Sequence, residues 1–104
     1  MSRQVYKEGT LLKRGKMNKQ YKERHFVVDN KWAHYFQGGK GAPQGSISIE
    51  AITSVGDIGV VEPGAFSVDI PGRQYVFKGT TDGETKLWRT AFIGACNENK
   101  KGFS

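Results

Sequence analysis

A mainly β chain closed by one C-terminal α-helix is the fold class this sequence predicts, and three observations predict it. Fourteen glycines and three prolines stand singly between short runs rich in β-branched and aromatic residues, the punctuation of many strands and turns. Apolar residues alternate with a period of two over most of the chain as far as Gly79. Beyond Thr81 the period lengthens to that of a helix, with Leu87, Trp88, Ala91, Phe92, Ala95 and Cys96 at i, i+1, i+4, i+5, i+8 and i+9. At 104 residues the chain suits a single domain over residues 1–104, with a core that needs no metal or disulfide.

The first strand is VYKEGTLLK, residues 5–13, in which Gly9, Leu11 and Lys13 share a face. The second is YKERHFVV, residues 21–28, with Lys22, Arg24, Phe26 and Val28 on one face. Leu11, Phe26 and Val28 are core residues, so Lys13 and Arg24 keep inward parity. Asp29-Asn30 turns the chain into KWAHYFQ, residues 31–37, where Ala33 and Tyr35 oppose Trp32, His34 and Phe36. After the turn GGKGAPQG, a fourth strand, SISIE (46–50), directs Ile47 and Ile49 inward, and a fifth lies within residues 53–61. Glu62-Pro63-Gly64 leads to AFSVDI, and Pro71-Gly72 closes a hairpin to RQYVFKG, residues 73–79. The strands thus fall within about residues 5–79. The helix is expected over about 82–98, started by Thr81 and Glu84 and stopped by Asn97, Asn99 and Gly102. Trp88 reads as its core plug. Gly94 costs about 1 kcal/mol relative to Ala unless close packing requires it.

Charge is distributed unevenly. Residues 13–24, KRGKMNKQYKER, hold Lys13, Arg14, Lys16, Lys19, Lys22 and Arg24 against one acid, Glu23, while the rest of the chain holds ten bases and nine acids. Charge concentrated in this way directs a field at an anionic partner. Two strands joined by one loop run antiparallel, which puts Lys13 and Arg24 side by side at one end of the sheet. A buried unpaired charge is costly, so inward-facing bases are tolerable where the core opens to water or to a ligand. The alternative is that Arg24 pairs with Glu23 or Asp82 and the loop is a solvated basic hairpin. Tyr35 reaches the same end, its hydroxyl either donating to an acceptor oxygen or resting in water.

Other classes find less support. Cys96 is the only cysteine, which rules out an internal disulfide and a cysteine zinc site and suits a reducing compartment. The sequence has neither a signal-peptide core nor about 18 consecutive apolar residues, so a membrane would be met from the aqueous, cytoplasmic side. His25 and His34 lack metal-ligand spacing, and neither a nucleophile elbow nor a P-loop occurs. No metal, cofactor or catalysis is therefore expected. Nucleic acid is not expected either, because the bases cluster at a loop end while Trp32, Phe36 and Tyr75 share no track with them.

Gly9-Thr10-Leu11-Leu12-Lys13, Lys22-Glu23-Arg24-His25-Phe26-Val27-Val28, Tyr35-Phe36, Gly45-Ser46-Ile47 and Trp88 together resemble the pleckstrin homology (PH) domain over nearly the whole chain. The resemblance implies a seven-stranded bent antiparallel barrel or sandwich, plugged at one end by the helix and open at the first loop. It implies a phosphoinositide or inositol phosphate headgroup gripped by Lys13 and Arg24, with Tyr35 assisting where 3-phosphorylated species are preferred. Arg14, Lys16, Lys19 and Lys22 would add charge and steering. The Lys13 to Arg24 spacing is most similar to the protein kinase B (Akt) type, in which an arginine entering strand seven touches phosphate; Arg73 is the nearest match. Gln44 departs from a basic residue found there in some 3-phosphoinositide binders, and His25 from a bulky aromatic. Met17, at the loop tip, is a membrane-contact candidate or a merely exposed methionine. The function expected is recruitment to an anionic membrane surface. A module of the same fold that binds a peptide or small GTPase is the alternative.

Overall fold

The two-residue alternation becomes seven strands: β1 (Val5–Arg14), β2 (Tyr21–Asp29), β3 (Trp32–Phe36), β4 (Gly45–Ser48), β5 (Ser54–Asp57), β6 (Ala65–Ile70) and β7 (Arg73–Lys78), followed by helix α1 (Asp82–Lys101). This is a computed structural model that describes residues 4–15, 19–37 and 41–101. All strands pair antiparallel in one sheet, in the order β4-β3-β2-β1-β7-β6-β5.

Register decides which side chains meet. Gly9 lies opposite Phe26, Leu11 opposite Arg24 and Lys13 opposite Lys22. Phe26 in turn lies opposite Tyr35, and Tyr35 opposite Gly45. The two halves of the sheet join where Lys13 pairs with Phe77. Leu11, Phe26, Val28, Phe66, Val68 and Phe77 are fully buried on the inner face, as their parity requires. Each such side chain contributes about 1.5–3 kcal/mol relative to exposure.

The helix closes one end of this core. Trp88 is 0% exposed and meets Phe26 edge-on at 6.2 Å. Its ring passes over Gly9, whose φ of +151° is open to glycine and strained for other residues. Thr81 Oγ1 accepts a hydrogen bond from the Glu84 amide at 3.1 Å, the expected cap.

Three expectations need correction. First, β4 ends at Ser48, and Ile49–Ala51 form a 3₁₀ turn in place of continued strand. That turn brings Ile49 and Ile52, three residues apart, into the core together. Second, Leu87 is 55% exposed; the inward stripe is Thr85, Trp88, Ala91, Phe92 and Ala95, with Cys96 half-buried beside it. Third, the helix runs past Asn97 and Asn99. Asn99 Nδ2 donates to the Asn30 carbonyl at 3.2 Å, and the Tyr6 hydroxyl bonds the Glu98 carboxylate, so the last turns are docked on the sheet. Gly94 is where that docking needs room, since a Cβ there would sit 3.2 Å from Tyr6 Cε1.

Candidate functional site

The strand ends opposite the helix gather the bases. Lys13, Lys22, Arg24 and Tyr35 line one open cavity together with Gly15 and Gln44. Lys13 and Arg24 arrive there by inward parity from β1 and β2. Arg14, Lys19 and Arg73 line an adjoining cavity with Gly72, Gln74, Tyr75 and Val76, and Gly15 borders both. Lys16 and Met17 lie outside the described residues.

What holds these cations in place is mostly not carboxylate. Arg24 Nε donates to Gln44 Oε1 at 2.8 Å, and its Nη1 donates to the Glu23 backbone carbonyl at 2.7 Å. Among the described residues neither Glu23 nor Asp82 forms an ion pair with it; Asp82 lines a different cavity, at the start of the helix. Lys13 Nζ stands 5.3 Å from the centre of the Tyr35 ring and 5.9 Å from that of Tyr75. Arg73 covers Tyr75 as well, at 4.1 Å. Aromatic faces attract cations without cancelling their charge, so the positive field stays available to a ligand. Burial lowers the Lys13 pKa from its ordinary value, and Arg73 and Arg24 lower it further.

Arg14 differs. Its Nη1 meets Glu62 Oε2 at 2.8 Å, and this ion pair ties the end of β1 to the β5–β6 loop. The pairing offsets much of its charge. His25 Nε2 sits 3.0 Å from Glu8 Oε2 on the outer sheet face, away from the cavity.

Two side chains at this end were not singled out for it by pattern. Gln44 entered as a departure, yet it is the residue that orients Arg24. Tyr75 entered as an aromatic with no track in common with the bases, yet both Lys13 and Arg73 rest against its ring. Gly45 has a related duty: a Cβ there would fall 2.2 Å from the Tyr35 hydroxyl, so only glycine lets Tyr35 lie across β4. Burial raises the Tyr35 pKa and Tyr75 adds to it, while Arg73 and Arg24 pull it back, so the hydroxyl stays a neutral donor at physiological pH.

Comparison with known proteins follows the same lines. The family model described as PH domain matches residues 5–97. The chain belongs to the PH domain family. A crystal structure of the C-terminal PH domain of pleckstrin in complex with D-myo-Ins(1,2,3,5,6)P5 is 25% identical, with a TM-score of 0.80 over 92% of this chain and 99% of that one. Another crystal structure of the C-terminal PH domain of pleckstrin, in complex with D-myo-Ins(1,2,3,4,5)P5, is 29% identical, with a TM-score of 0.73 over 88% of this chain and 97% of that one. The DH/PH fragment of PDZRHOGEF in complex with human RhoA shares the fold, at 15% identity and a TM-score of 0.75 over 92% of this chain and 29% of that one. A search of curated proteins finds no match. Among the described residues of this PH domain, no helix is long and apolar enough to cross a membrane.

Proposed function

We propose that this PH domain binds the polyphosphorylated headgroup of a phosphoinositide and so recruits the protein that carries it to an anionic, cytoplasm-facing membrane. It acts by binding and not by catalysis. One observation carries the reading: Lys13 and Arg24 enter a single open cavity, beside the Tyr35 hydroxyl, held by rings, an amide oxygen and a carbonyl instead of carboxylates. A phosphate would supply the missing counter-charge. Arg24 offers its remaining N–H donors as a planar fork, Lys13 a point charge and Tyr35 a neutral donor. Lys22 lines the same cavity; Arg14, Lys19 and Arg73 border it, and Lys16 belongs to the same basic stretch.

Bases near an anionic leaflet contribute roughly 1 kcal/mol each, so the net charge of residues 13–24 supplies at most about 5 kcal/mol, a submillimolar association at best. The pocket must supply the rest. A protein kinase B-like preference for 3-phosphorylated headgroups is the finer part of the proposal. Its support is the position of Tyr35 in the cavity and of Arg73 near enough to shift both Lys13 and Tyr35. Vesicle pull-down across the phosphoinositide series tests both parts. Arg24→Ala should weaken headgroup-dependent binding at least tenfold, the effect of losing charge-assisted hydrogen bonds, with the thermal melt nearly unchanged. Equal binding by the variant would reject the site.

A protein-binding role is the second reading. The free edge of β5 and the helix border a groove lined by Ile52, Val55, Ile93 and Cys96, the setting for an added peptide strand. Partner binding that survives charge reversal at Lys13 and Arg24 would favour it.

A further inference from the structure

Residues 58–64, between β5 and β6, present two neighbouring valines to solvent: Val60 is 100% exposed and Val61 87%. Single exposed apolar residues are ordinary, but an adjacent pair with almost no protein contact does nothing for the fold. The turn that presents them is well braced. Asp57 Oδ1 accepts from the Gly59 amide at 2.8 Å, and the Ile58 carbonyl accepts from the amides of Val61 at 3.0 Å and Glu62 at 2.8 Å. Beyond the valines, Glu62 is held by Arg14, and the Gly64 carbonyl accepts from Thr85 Oγ1 at 3.0 Å. The tip therefore protrudes from a base fixed at both ends.

Its location gives the pair a partner. The Arg14–Glu62 ion pair places this turn against the last residue of β1, where the basic loop begins. Burial raises the pKa of Tyr21, the first residue of β2, and the nearby Glu62 adds to it, so the turn lies close to both roots of that loop. Arg14 and Lys19 line the cavity on this side. Bare aliphatic side chains beside a cluster of bases match an anionic bilayer, whose headgroups meet the bases while its interfacial layer takes up the valines.

We propose that Val60 and Val61 form an insertion tip, which enters the interfacial layer of an anionic bilayer when the neighbouring basic end meets the surface. This rests on the membrane-recruitment reading above. It adds an apolar contact that a soluble headgroup cannot make. Free ligand and membrane should therefore respond differently to changes at the tip.

The test compares inositol hexakisphosphate in solution with phosphatidylcholine vesicles carrying phosphatidylserine and phosphatidylinositol bisphosphate. The V60S/V61S double variant should bind the soluble phosphate like wild type and bind vesicles roughly tenfold more weakly, the size expected when two partly immersed valines are lost. The V60L/V61L variant should bind vesicles more tightly, again with no change toward the soluble phosphate. Both variants should keep the wild-type melting temperature, because neither valine is packed. Equal vesicle binding by all three proteins overturns the insertion tip and leaves headgroup recognition standing. Wild type that binds neither probe overturns the recruitment reading and this inference with it. Self-association of the wild type that the serine variant abolishes, with equal vesicle binding, would assign the valines to a second copy of the chain and also overturn the proposal.

Discussion

At the scale of single residues, the cavity depends on cations kept charged without carboxylates. Lys13 shows the consequence in its titration. Burial, then Arg73 and Arg24, makes it release its proton below the ordinary 10.5. Phosphate favours the charged amine, so headgroup affinity should be full at neutral pH and fall as pH rises through that lowered value. Lys13→Arg should remove the alkaline fall, because guanidinium stays charged throughout; titrating both proteins with an inositol polyphosphate checks this. Gly45 is the second case. Gly45→Ala pushes a methyl into the space of the Tyr35 hydroxyl, so it should displace Tyr35 and weaken headgroup binding several-fold. Serine or larger residues should do more. Binding by Gly45→Ala equal to wild type would show that Tyr35 takes no part.

At the scale of elements, Thr85 joins the sheet to the helix. Its hydroxyl accepts from the Gly79 amide at 2.8 Å and faces the carbonyls of Gly64 and Thr81 at 3.0 and 3.2 Å. Thr85→Val keeps the shape and leaves the Gly79 amide without that acceptor, which should cost about 1–3 kcal/mol, read as a lower midpoint in denaturant unfolding. Gly79→Ala should cost more, since its Cβ would lie 2.3 Å from the Thr85 backbone nitrogen. Unchanged midpoints for both would remove this junction from the account. At the other end of the helix, Gly94→Ala should not recover the roughly 1 kcal/mol of helix propensity, because the Tyr6 ring occupies the space.

At the scale of the whole molecule, what the sequence made legible follows from how far apart in the chain the contacts lie. The inward phase of Lys13 and Arg24 was readable because a period of two propagates along a strand, and one loop sets the pairing of β1 with β2. The place of Tyr75 beside Lys13 was not readable, since it requires β1 to meet β7. The Arg14–Glu62 pair was hidden for the same reason, and so was the duty of Gln44, which reaches Arg24 across a loop. Leu87 was misplaced because an apolar residue next to Trp88 scores on a helical pattern although the inward face is narrower than the pattern. A nuclear magnetic resonance titration of the domain with an inositol polyphosphate, following its amide and side-chain signals, shows where phosphate binds. The largest shifts should fall on Lys13, Lys22, Arg24, Tyr35 and Gln44. Shifts confined to the outer face of β2 and β3, or to the groove between β5 and the helix, would contradict this site.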